Sequence, residues 1–213
     1  MNQLVEILFP ISGTSVVRDH GYLLYGALCH VIPLLHEAPW LAVHPLSGAV
    51  ASDEHLTLKP SATLTLRMPA ERIPAVLPLA GVTLDIAGAR LSLGAPRVQA
   101  LVPAASLDAR LVVLKLTNAP HKQSESLGRE TLDNDAIAQR YAVELTRQLA
   151  KLEIASLPQL LGRQSITVVG KRIVGYSVRV GGLNADQSLR LQQYGLGGKH
   201  RMGCGVFRPT RGT

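Results

Sequence analysis

"QSITVVGKRIVGYSVRV", residues 164–180, reads as two strands rich in β-branched residues folded back on each other at "GKR". What flanks this hairpin decides the fold. Upstream, "DNDAIAQRYAVELTRQLAKL" (133–152) opens on an Asp/Asn cap and places Ile137, Tyr141, Leu145 and Leu149 on one helical face, and before it "ARLVVLKLT" (109–117) has strand composition. Downstream, "NADQSLRLQQY" (184–194) is a short capped helix and "GVFRPT" (205–210) a final strand. The order βαββαβ is that of the split ferredoxin-like unit.

The first half follows the same order. A strand in "QLVEILF" leads to a helix from about Asp19 to His36, then strands in "LAVHPL" and "ATLTLRM", a short helix in "ERIPAVLPLA", and closing strands in "VTLDI" and "RLSLG". The expected class is therefore α+β, with two tandem ferredoxin-like (RRM-like) βαββαβ units over residues 1–105 and 106–213. They repeat in topology and not in sequence. The connection at 115–134 is polar, offering only Leu127 and Leu132 as large apolar residues beyond Thr117, and reads as a mobile insertion.

With 213 residues the chain can bury a full core, and its 46% apolar content falls in runs shorter than the roughly 20 residues of a membrane span. The N-terminus has neither a basic leader nor a small-residue cleavage site, so a cytoplasmic location without membrane attachment is expected. Two cysteines, Cys29 and Cys204, make neither a disulfide framework nor a four-ligand zinc site, and read as free thiols. The net charge of +7 is unevenly placed: from Arg163 onward there are nine Lys/Arg against Asp186 alone, whereas the first 162 residues hold thirteen bases and fourteen acids. One-signed charge on a neutral scaffold points to a polyanion. At 4% aromatic content, broad stacking on bases is disfavoured relative to contact with backbone and shape.

Within the basic part lies "GLGGKHRMGCGVF" (195–207). It is not a nucleotide-hydrolase phosphate loop, because Gln193 stands where that motif needs its first glycine and His200 follows Lys199. A dinucleotide fingerprint is excluded as well, since His200 lies three residues after Gly197. Two physical uses remain open for the glycines. They could bring backbone N–H groups up to phosphate, with charge from Lys199 and Arg201, or they could permit tight packing of the last strand.

With that loop, "DHGYLLYGALCHVI" (19–32) and "LLHE" (34–37), the sequence resembles the CRISPR-associated repeat-RNA endonucleases of the repeat-associated mysterious protein superfamily. The three stretches look like the family's first-helix motif, the segment ending that helix, and its terminal glycine-rich loop. The resemblance implies metal-independent cleavage of precursor CRISPR RNA within each repeat: a 2′-OH attacks the adjacent phosphate and leaves a 2′,3′-cyclic phosphate. It further implies that the protein stays on the repeat stem-loop among other CRISPR effector subunits. No cofactor and no metal are expected. Expected RNA contacts are Arg163, Lys171 and Arg172 on the hairpin, and Gly195, Gly197, Gly198, Lys199, His200, Arg201, Gly203 and Gly205 in the loop.

Such a reaction needs a base for the 2′-OH, an acid for the leaving oxygen and a cation for the phosphorane, and histidine serves either proton role near neutral pH. His36 in "LLHE" matches the family's position after the first helix best, followed by His30 and then His20. On a continuous helix His20 and His36 stand about 24 Å apart, so at most one serves the scissile phosphate, and only the C-terminal one benefits as an imidazolium from the helix dipole. Tyr25, about 16 Å from His36 on such a helix, reads as core. Two alternatives stay open: a non-catalytic RNA-binding subunit of a CRISPR effector on the same fold, and an unrelated basic RNA-binding protein.

Overall fold

The computed structural model describes residues 3–52, 54–116 and 127–210, with backbone alone over 127–134. Of the connection expected at 115–134, residues 117–126, with His121 among them, lie outside the described residues, whereas 127–134 are helical, so the helix expected from Asp133 already begins at Leu127. Along the chain run β1 (Leu4–Ser12), β2 (Ser15–Val17), α1 (Gly21–Val31), a 3-10 turn (Pro33–Glu37), β3 (Ala42–Val43), β4 (Gly48–Val50), β5 (His55–Leu58) and β6 (Thr63–Pro69). There follow α2 (Ile73–Val76), β7 (Thr83–Ile86), β8 (Ala89–Leu93) and β9 (Arg97–Ala100). The remainder comprises β10 (Ser106–Val112), α3 (Leu127–Lys151), β11 (Pro158–Val168), β12 (Lys171–Gly181), α4 (Ala185–Tyr194) and β13 (Arg208–Pro209).

The later half is the expected split unit, an antiparallel sheet in the order β11-β12-β10-β13. Tyr141, Leu145 and Leu149 of α3 are buried against Leu107, Val112, Val178 and Val180, with Ile137 at the margin. α4 starts at a capping box in which Asn184 accepts from the Gln187 N–H at 2.9 Å and Gln187 accepts in return from the Asn184 N–H.

The earlier half has the same topology with a different last strand. β1 runs between β6 and β9, and β3 lies outside β6, so β9 ("RVQA") closes the split βαββαβ unit. "VTLDI" and "RLSLG" instead form the β7-β8 hairpin, which pairs with β1 at Leu93–Ile11 and Ser92–Ser12 and buries Leu84, Ile86, Leu91 and Leu93 in the core. All four β9 residues are exposed, so no apolar alternation marked that strand. Two further departures trace to proline. Pro74 and Pro78 divide "ERIPAVLPLA" into short turns around α2, and Pro33 ends α1 one residue earlier by forcing Ile32 into an extended conformation at φ −130°, ψ 90°. The helix expected to reach His36 stops at Val31. A small sheet, β2-β5-β4, was not anticipated. Among the described residues no helix is long and apolar enough to cross a membrane.

Arg67 on β6 joins the two sheets. Only 1% exposed, its guanidinium donates to Glu6 Oε1 at 2.7 and 3.2 Å, to the Phe207 carbonyl at 2.8 Å and to the Gln192 carbonyl. His44 Nε2 stands 3.0 Å from the same carboxylate oxygen, and burial lowers the pKa of that histidine, favouring its neutral form. For Glu6, burial alone would raise the pKa, but the His44 contact and the Arg67 charge outweigh it and hold the carboxyl at about 2.

The folded pKa lies below the ordinary 4.5, so the ionised Glu6 stabilises the fold fully above pH 4.5 and less as pH falls towards 2, by roughly 3 kcal/mol in all. Glu6→Gln removes this contribution. Urea unfolding should show wild type well above Glu6→Gln at pH 7 and the gap closing between pH 4.5 and 2; a gap independent of pH would contradict the assignment.

Candidate functional site

The segment "DHG" ahead of α1 is occupied with structure. Asp19 Oδ2 accepts from the Thr167 N–H at 2.7 Å, tying the start of α1 to β11. His20 is fully buried, with Nδ1 3.0 Å from the Val17 carbonyl and Nε2 accepting from the Leu46 N–H at 3.0 Å. One nitrogen must donate and the other accept, so the ring is a neutral, fixed tautomer. Burial, reinforced by the charge of Arg110, lowers its pKa to about 4. His20 is therefore a structural tie and not a proton carrier at neutral pH. Gly21 lets α1 approach the C-terminal loop, since a Cβ there would stand 2.4 Å from the Met202 carbonyl oxygen.

At the other end of α1 the break at Pro33 folds the chain back on the helix. The Tyr25 hydroxyl lies 3.3 Å from both the Leu35 and His36 carbonyls, and the His36 ring meets the Tyr25 ring edge-on with centroids 6.0 Å apart. The separation expected of a continuous helix does not exist, and neither does a helix dipole ending on His36. Buried Tyr25 thus holds the turn that displays the exposed His36; burial also raises the phenol pKa.

The glycine-rich loop supplies the third member. Arg201 donates to the His36 carbonyl, and its guanidinium carbon sits 5.3 Å above the centre of the Tyr25 ring, a cation–π geometry. An exposed imidazole, a phenol and a guanidinium thus meet from residues 25, 36 and 201. Together they can move a proton and stabilise an anion.

The loop achieves this by fastening its backbone to α3, α4 and the end of β10. The N–H groups of Gly195, Gly197, Gly198, Gly203 and Gly205 donate respectively to the Leu191 carbonyl, Gln148 Oε1, and the Val113, His200 and Leu111 carbonyls. None of the five is left for phosphate, so the expected backbone cradle is replaced by a packing role. His200 is likewise turned inward against Gly195 and Gly205, and burial lowers its pKa. Only Gly198 and Lys199 of the loop are exposed, with Arg201 half-buried over Tyr25. His30 is exposed in the last turn of α1, and its ring makes no hydrogen bond among the described residues.

Arg163, Lys171 and Arg172 are exposed on the β11-β12 hairpin. Arg163 and Arg172 line an open groove of about 960 Å³ together with Arg18 and Arg110, neither of which the sequence had singled out. Among the described residues no three His, Cys, Asp or Glu side chains converge as a metal-ligand set.

The family model described as Cas6 CRISPR matches residues 5–212. A CRISPR-associated endonuclease Cas6 from Myxococcus xanthus (strain DK1622) is 38% identical over 205 residues, 96% of this chain and 81% of that protein. Among solved structures, a CRISPR-associated Cas6 protein superposes with TM-score 0.63 at 14% identity, covering 98% of this chain and 99% of the other. A Cas6-related protein from Pyrococcus furiosus gives 0.60 at 12% identity, with 97% of each chain covered.

The close backbone approaches discriminate among the loop glycines. At Gly205, with φ +66°, a Cβ would stand 2.0 Å from the Leu196 carbonyl oxygen, whereas at Gly198 nothing lies within 4 Å. Gly205→Ala should cost about 3 kcal/mol or more in chemical denaturation and Gly198→Ala less than about 1. Equal tolerance at both positions would mean that the loop is not packed as described.

Proposed function

The chain belongs to the Cas6 family of CRISPR-associated endonucleases, and on that premise we propose that it cuts precursor CRISPR RNA within each repeat without a metal ion, with His36 as the proton-transfer residue. The observation that carries this reading is the meeting of Tyr25, His36 and Arg201. A 2′-OH poised beside its own phosphate needs alignment, a proton acceptor or donor, and positive charge where the phosphorane forms. His36 provides the proton transfer. Arg201 provides charge next to it, and Tyr25 with Arg201 fixes the His36 main chain through the shared carbonyl. The expected products are a 2′,3′-cyclic phosphate and a 5′-OH.

Residues 1–105 act as the domain bearing the chemistry and 106–213 as the domain that delivers Arg201 and holds the repeat stem-loop through Lys199 and the cations of the β11-β12 hairpin. After cleavage the protein stays with its product inside a CRISPR effector. His20, neutral and enclosed, takes no part. His30, exposed on the same helix, is the competing candidate for the proton-transfer role.

Single-turnover cleavage of the cognate repeat RNA separates these assignments. His36→Ala should slow cutting by roughly 10² to 10⁴ while repeat binding stays within about threefold. A 2′-deoxy substitution at the cut nucleotide should block every variant, and EDTA none. Normal cutting by His36→Ala with loss in His30→Ala would move the chemistry to His30. A wild type that binds the repeat and never cuts it would make the protein a binding subunit.

A further inference from the structure

The open face of the second sheet carries two arginines in contrasting situations. Arg179 on β12 pairs with Asp108 opposite it on β10, at 2.7 and 2.9 Å. Arg110, two residues beyond Asp108 on the same face, has no side-chain hydrogen bond and no ion pair among the described residues, and its Nε is sealed from solvent without an acceptor. Asp19 lies near enough to be felt electrostatically; its Oδ2 accepts from the Thr167 N–H, and its Oδ1 is buried with no hydrogen bond to Arg110 or to any other described residue. Burial lowers the Arg110 pKa, the direction expected of a guanidinium that loses water without gaining a partner. A half-buried unpaired cation is a standing cost to the fold that an apolar residue would avoid. Among the described residues no hydrogen bond offsets it, and an anion seated in the groove would.

The surroundings define that anion. Arg110 lines the 960 Å³ groove between Val17, Glu54 and His55 on one side and the β11-β12 hairpin on the other. It also lines an adjoining space of about 300 Å³ that reaches Arg208. Among the described residues, four arginines face two carboxylates in the larger groove, and no Phe, Tyr or Trp lines it. Such a wall suits a sugar–phosphate backbone and not stacked bases. The groove adjoins the segment just before α1, whereas the His36 turn follows the far end of that helix, which is about 16 Å long.

Resting on the reading of the chain as a repeat-RNA endonuclease, we propose that Arg110 is the floor cation of a seat for RNA backbone and binds a phosphate other than the scissile one. The seat anchors the substrate beside the helix that leads to the site of cutting.

The probe is the repeat RNA made uncleavable by a 2′-deoxy cut nucleotide, with methylphosphonate replacing one phosphate at a time. Wild type should lose affinity at one or more positions away from the cut. Arg110→Met should bind the unmodified RNA about tenfold more weakly, lower the salt slope by roughly one contact and lose sensitivity at such a position. Its melting temperature should equal or exceed that of wild type, and its single-turnover rate on cleavable RNA at saturation should stay within about threefold. Arg110→Lys should restore the salt slope, separating charge from packing. Unchanged affinity and slope in Arg110→Met, wild-type sensitivity at every methylphosphonate, or a loss that Lys leaves unrestored would each overturn the proposal. If wild type binds and cuts while Arg110→Met is indifferent, only this inference fails; if wild type neither binds nor cuts the repeat, both readings fail.

Discussion

A single guanidinium holds both stems of the glycine-rich loop. Arg67 reaches from β6 to the carbonyl of Gln192, before the loop, and to that of Phe207, at its end, while Glu6 balances its charge. Gln192 lies in the last turn of α4, where main-chain oxygens lack helical partners and attract a cation. The contact therefore satisfies an orphan carbonyl as well as a buried charge. Its larger consequence is positional: the first sheet and the loop are held in one frame, so α1, packed on that sheet, meets the loop at a defined height. Gly21 against the Met202 carbonyl and Arg201 over Tyr25 are two contacts of that meeting.

Within that frame, proline creates the site. Ile32 cannot continue a helix before Pro33, and the 3-10 turn that follows brings Leu35 inward and His36 outward over Tyr25. Had the helix run on, His36 would stand far from the tyrosine and from the arginine that reaches its carbonyl. The two termini of the molecule thus contribute unlike things to one place. The earlier half provides a displayed imidazole on a fixed turn, and the later half provides charge, on a loop whose glycines are spent on tight folding.

The sequence was legible where a pattern repeats and opaque where a contact is made across the chain. The later unit could be read because α3 has an apolar face and α4 a capping box, both local properties. In the earlier unit β9 escaped because it buries nothing and so alternates nothing. The motif residues were visible, but their division of labour was not. His20 looks like an available histidine until Val17 and Leu46 enclose it, and the five glycines look like a phosphate cradle until their N–H groups find carbonyls and a glutamine. Tyr25 could have been placed from Pro33, a helix breaker present in plain sight. Arg67 and Arg110 carry no local signal at all, because what distinguishes them is who their neighbours are in space.

The central claim is that residues from the two ends of the chain act as one unit, and a double-mutant cycle on the cleavage rate tests it most directly. His36→Ala, Arg201→Ala and the combined variant are compared in single-turnover cutting of saturating repeat RNA. Groups that serve one transition state through a shared contact are strongly non-additive. The double variant should cut at about the rate of the slower single variant. Losses that multiply would show that His36 and Arg201 act independently and would contradict the account.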